Sequence, residues 1–145
     1  MTIPILTPVT SGNTDVTVFD ATGKITLTAS LSPATYNYYI TKYPNLMILG
    51  TFSPTTYYIV DGVPTLRPVS TITAPAILTV PADGTTPITL TGVSSGALIS
   101  VTGPVPLNAT GDGTPVALTF SKVGTYTVTV QSFPNLAFKV SINAT

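Results

Sequence analysis

Fourteen prolines and eleven glycines are scattered along the whole of this 145-residue chain, leaving few uninterrupted windows in which a helix could propagate. Between these breakers lie short runs of Val, Ile, Thr, Tyr and Phe. Side chains branched at Cβ are stiff about χ1 and suit a pleated, half-buried surface, so the runs read as strands. The clearest is "GTYTVTV": Tyr126, Val128 and Val130 fall on one face, and Thr125, Thr127 and Thr129 on the other. "KITLTASL" repeats the device, with Ile25, Leu27 and Ala29 opposite Thr26, Thr28 and Ser30. "DVTVF", "NLMILG", "PITLTGV", "ALISV", "VALTF" and "AFKVSI" complete a set spaced as in sandwiches and barrels. The expected class is all-β, with no more than a single helical turn near "SPATYNYY".

The stretch "RPVSTITAPAILTVPADG" reads as a joint, because Pro68 and Pro75 flank a Ser/Thr segment with no turn signature of its own. It divides the chain into residues 1–70, an N-terminal β section with an extended arm, and residues 71–145, a small Ig-like antiparallel β-sandwich. The strand count after the joint approaches that of an immunoglobulin-like sandwich, although a complete one takes about 100 residues. Within the first section a hairpin is expected around "FDATGKI". "TTYYIVDGV" reads as strand, Asp-Gly turn and strand start. "PTLRP" is then expected to leave the sheet in an extended path, since a residue before proline is pushed out of the helical region.

Composition narrows the function. Only 7% of residues are charged, against about 25% in an ordinary domain. Lys24, Lys42, Arg67, Lys122 and Lys139 are scattered and matched by five aspartates, so no basic face for nucleic acid is expected. No run of 18 apolar residues predicts a membrane-spanning helix, and "MTIPILTPVTSG" lacks the basic and apolar regions of a secretory signal. Cysteine, histidine and glutamate are absent, so Ser-His-Asp and Cys-His catalysis and histidine-based metal sites cannot be assembled from this chain. Asp61, Asp83 and Asp112 each precede glycine, the pair that tolerates positive φ, and read as turns alongside Asp15 and Asp20. Calcium in "ATGDGT" would draw on Asp112 and Asn108, but the alternating aspartates and terminal glutamate of a calcium loop are missing. "TGDGTP" has the glycines of a phosphate loop without a following helix. No catalytic residue, metal or cofactor is expected.

Association is the better-supported expectation. A chain with zero formal net charge is poorly protected against self-contact, and the candidate edge strands lack lysine gatekeepers. Tyr36, Tyr38, Tyr39, Tyr57 and Tyr58 are candidate interface residues, because tyrosine offers large area at small entropic cost. Arg67, with no acidic neighbour in sequence, is expected to bond backbone carbonyls at the joint or to meet another subunit. Ile3 and Ile5 lie in the extended "MTIPILTPVTSGN", a candidate arm for strand addition across a subunit boundary, confined to an edge by Pro4 and Pro8.

"YYIVDGVPTLRP" is followed along the chain by "VPADGTTPITLTGVSSGALISVTGP", "VGTYTVTV" and "FPNLAFKVSINAT". Through these segments residues 48–145 resemble small structural proteins of tailed bacteriophages. The acidic residues usual in such modules are largely missing here. The resemblance implies a virion component, a tail accessory or capsid decoration protein, present in many copies and catalysing nothing. Its partners would be copies of itself and the major capsid or tail proteins, with no nucleic acid and no membrane. The alternative expectation is a cell-surface or glycan-binding Ig-like adhesion module, meeting a host-surface glycan through the tyrosines or the loop "SVTGPVPLNATGDGTP".

Overall fold

The computed structural model describes residues 5–145. The chain is mostly strand and divides into two units, the first ending at Arg67 and the second running Pro68–Thr145.

The first unit contains β1 (Thr14–Phe19), β2 (Ile25–Leu31), α1 (Pro33–Lys42), β3 (Met47–Leu49), β4 (Tyr57–Val60) and β5 (Val63–Leu66). β1 lies between β2 and β3, antiparallel to both. It is buried on both faces. Val16 and Val18 pack with Tyr36 of α1 and Met47, while Phe19 packs with Ile25, Ile48 and Ile59. A strand covered on both sides loses the wet face that period-two alternation predicts. Thr17 is consequently fully buried, and its hydroxyl donates to the Gly50 carbonyl at 2.8 Å and accepts from the Phe52 N–H at 3.0 Å.

β2 departs from the expected stripe. Its register slips beside Val18 and Phe19, which pair with Leu27 and Ile25 and leave Thr26 as an extra residue. A bulge of this kind turns the side chains before it to the opposite face. Ile25 therefore joins Phe19, and Leu27 lies across from Val18 on the other side.

α1 is ten residues long where only a single turn was expected. Ser32, in extended conformation, accepts from the Thr35 N–H, and Pro33 occupies the start of the helix, where a missing N–H costs nothing. At the far end the Tyr43 N–H donates to the Tyr39 carbonyl at 2.8 Å. Tyr36, Tyr39 and Ile40, at helical spacing, pack into the first core. That packing outweighs the modest helix propensity of tyrosine and threonine.

The β4–β5 hairpin turns at Asp61 and Gly62, with φ of 51° and 77°. Positive φ at both central positions matches the twist of the flanking strands. β5 continues through Pro64, opposite Ile59, to Leu66. This corrects the expectation that "PTLRP" leaves the sheet; in a two-stranded ribbon a proline can face the open side. The Ile59 N–H donates to the Gly23 carbonyl at 2.8 Å, tying the hairpin to the β1–β2 turn.

The second unit contains β6 (Thr79–Val80), β7 (Ile88–Leu90), β8 (Leu98–Thr102), β9 (Leu107–Thr110), β10 (Val116–Leu118), β11 (Gly124–Gln131) and β12 (Phe138–Ala144). One sheet has the order β6-β12-β11-β8-β9, the other pairs β7 with β10, and a bridge joins Thr73 to Thr91. Ile88, Leu90 and Leu118 of the small sheet share one core with Ile99, Val101, Tyr126, Val128, Val130 and Ile142 of the large one. β11 alternates as its sequence predicts, with Tyr126, Val128 and Val130 inside. The Tyr126 hydroxyl donates to the Lys122 carbonyl at 3.0 Å, a tyrosine corner of the kind found in Greek-key sandwiches. The connectivity is that of a reduced immunoglobulin-like sandwich. It is antiparallel except for β6, which runs parallel to β12.

Candidate subunit-contact surface

The structure disperses the residues that the sequence nominated. Ile3 lies outside the described residues. Ile5 is 88% exposed, whereas Leu6 and Val9 pack against the first core. The Val9 N–H donates to Asn37 Oδ1 and Asn37 Nδ2 donates to the Val9 carbonyl, both at 2.9 Å. The expected arm is therefore bound to its own unit at Leu6 and Val9. Tyr36 is only 2% exposed and belongs to that core, so its nomination as an interface residue is corrected. Burial pushes its phenol above the ordinary tyrosine range. Tyr38 is exposed, and its hydroxyl accepts from Lys42 Nζ at 2.7 Å. That bond holds the ammonium above the usual lysine range, with Tyr43 adding to it. Tyr39 is half-buried and packs edge-on against Tyr38, with ring centroids 5.8 Å apart. Tyr57 is half-buried against Phe52, and Tyr58 is half-buried on the opposite face of the hairpin. Arg67 donates from its guanidinium to the Pro54 carbonyl at 3.1 Å, and from its backbone N–H to Thr56. Both of these carbonyls belong to the loop before β4.

The carboxylates work locally. Asp20 Oδ1 accepts from the Thr22 N–H and hydroxyl and from the Lys24 N–H. Asp83 accepts from the N–H groups of Thr85 and Thr86 and from the Thr86 hydroxyl. Asp112 accepts from the N–H and hydroxyl of Thr114. Bonds to the charged form favour it, so the threonine donors hold all three carboxyls below the usual carboxylate range, Asp83 the furthest. Among the described residues no three His, Cys, Asp or Glu side chains cluster as a metal site, and no helix is long and apolar enough to cross a membrane.

A different feature emerges at the edge of the large sheet. Among the described residues β9 pairs with β8 on one side only, and all four of its residues are exposed. It carries no lysine, no proline and no bulge, the usual devices that blunt a strand edge. The opposite edge, β6, is only two residues long. Sequence reading placed β9 inside a loop. The missed signal was its alternation: Leu107 and Ala109 pair with inward-facing Val101 and Ile99, while Asn108 and Thr110 pair with outward-facing Ser100 and Leu98.

The outer face beside this edge is almost free of charge. Cross-strand rows run Asn108–Ser100–Thr129–Lys139 and Thr110–Leu98–Gln131, with Thr102–Thr127–Ser141 beside them. Among the described strand residues of this face, Lys139 is the one charged side chain. A shallow depression of about 400 Å³ lies over Leu98, Ser100, Asn108, Thr110, Thr129 and Gln131. Among the described residues no aromatic ring lines it. On the inner side of the same edge, Leu107 and Val105 border an apolar hollow of about 160 Å³.

No protein-family model, curated protein or solved structure matches the chain.

Proposed function

We propose that this chain is a non-enzymatic structural component of a bacteriophage virion, a tail accessory or capsid decoration protein that acts through β-sheet contacts between subunits. The observation that carries this reading is the open β9 edge, four exposed residues without a gatekeeper beside a nearly uncharged sheet face. Such an edge presents a row of backbone donors and acceptors that another strand can complete. Affinity then comes from main-chain hydrogen bonds and burial, and selectivity from register and shape. The resemblance of residues 48–145 to phage structural modules supplies the virion setting.

Electron microscopy of intact particles carrying a tagged copy of the chain tests the reading. Regularly repeated tag density on the head or tail is expected. Particles without that density, together with a purified chain that binds neither capsid nor tail proteins, would contradict it.

A further inference from the structure

We propose that two copies of this chain pair through β9, antiparallel about a two-fold axis at Ala109, and join their large sheets into one of ten strands. This rests on the assembly reading above and names a second copy as the partner.

The register follows from the backbone. The Gly111 N–H donates to the Ala97 carbonyl at 2.8 Å, one step beyond the Leu98–Thr110 pair. In an antiparallel pair, residues bonded to the neighbour alternate with residues whose groups point away. Ala109 and Leu107 therefore bond β8, and the N–H and C=O groups of Asn108 and Thr110 point out of the sheet. A symmetric pairing that keeps inner faces with inner faces must centre on a residue, because opposed positions share a face. Centred on Ala109, each Asn108 opposes Thr110 of the second copy, and every outward N–H and C=O of the four residues is used. Centred on Asn108, Thr110 would oppose Pro106, which has no N–H to give.

Charge and size also favour a second copy. β8 and β9 carry no ionisable side chain, so the two-fold brings no like charges together. Ala109 is small enough for the close pair on the axis, where Cα atoms approach to about 4.5 Å. Leu107, half-exposed beside its apolar hollow, would oppose Gly111, which has no side chain to obstruct it. A four-residue edge buries less than the roughly 1,200 Å² of a stable interface, so the contact is weak in isolation and gains strength by repetition in an assembly.

Because the chain has no cysteine, single cysteines report the register without background. In the full chain under mild oxidation, Ala109→Cys should cross-link to a dimer at least about tenfold more than Leu107→Cys. The two Leu107 positions would lie about 14 Å apart, beyond disulfide reach. Thr110→Pro should abolish concentration-dependent association in sedimentation while leaving the thermal transition of the second unit in place, since that N–H is not used within the sandwich. Equal cross-linking of both cysteine variants, or unchanged association of Thr110→Pro, overturns the β9 pairing. If Thr110→Pro still associates with itself or with virion proteins as the parent does, the pairing fails and the assembly reading stands. If the parent binds neither, both fail.

Discussion

Asn37 and Val9, 28 residues apart, exchange two hydrogen bonds of 2.9 Å, the side-chain amide taking the place of a paired strand. The helix thereby holds the incoming chain as a β-ladder would. Asn37→Asp removes the donor to the Val9 carbonyl and sets a carboxylate beside it. It should cost the first unit about 1–2 kcal/mol and accelerate amide exchange at Val9. Denaturant unfolding read by tyrosine fluorescence checks the first part, because Tyr126 alone of the seven tyrosines lies in the second unit.

Thr17→Val should cost more than its conservative shape suggests. It strands the Phe52 N–H and the Gly50 carbonyl in the interior of the first unit, a loss of about 2–3 kcal/mol. Thr17→Ser keeps the hydroxyl and should lose only about 1 kcal/mol. Equal losses in the two variants would show that packing, not the hydroxyl, governs this position.

Two glycines with similar backbone angles should respond differently to alanine. Gly23 has φ of 84°, and a Cβ there would lie 1.9 Å from the Ile59 carbonyl oxygen. Gly12 has φ of 72° with open space around it. Gly12→Ala should cost about 1 kcal/mol from backbone strain alone. Gly23→Ala should exceed about 2 kcal/mol, because the hairpin must move away from the β1–β2 turn. Thermal melts of the two variants compare them directly.

Acid should weaken the second unit through its turns. A carboxyl held below its unfolded value contributes stability that is complete above about pH 4 and is lost as pH falls towards the folded value. Asp83 and Asp112 are both held low by threonine donors. The thermal midpoint should therefore drop as pH falls from about 4 towards about 2. Asp83→Asn should lower the midpoint at pH 7 and shrink the acid-induced drop.

Much of the sandwich was legible because its strands obey one rule at a time. β11 alternates cleanly, with Tyr126, Val128 and Val130 inside as its period of two predicted. The first unit obeys competing rules. β1 is covered on both faces, so Thr17 is buried despite its hydroxyl, and the bulge at Thr26 separates Ile25 from Leu27. α1 carried its start signal in Ser32 and Pro33, but its tyrosines read as strand formers, and only packing against Val16 and Met47 decides the matter. The candidate surface was the least legible. Tyrosine and arginine drew attention by type, whereas β9 owes its character to the missing neighbour on one side, which no single residue encodes.

The most direct measurement is amide hydrogen exchange at Asn108 and Thr110, compared between dilute free chain and assembled particles. A β9 edge that is completed only on assembly gives fast exchange in the free chain and strong protection of both amides in the particle. Equally fast exchange in the two states would contradict that completion.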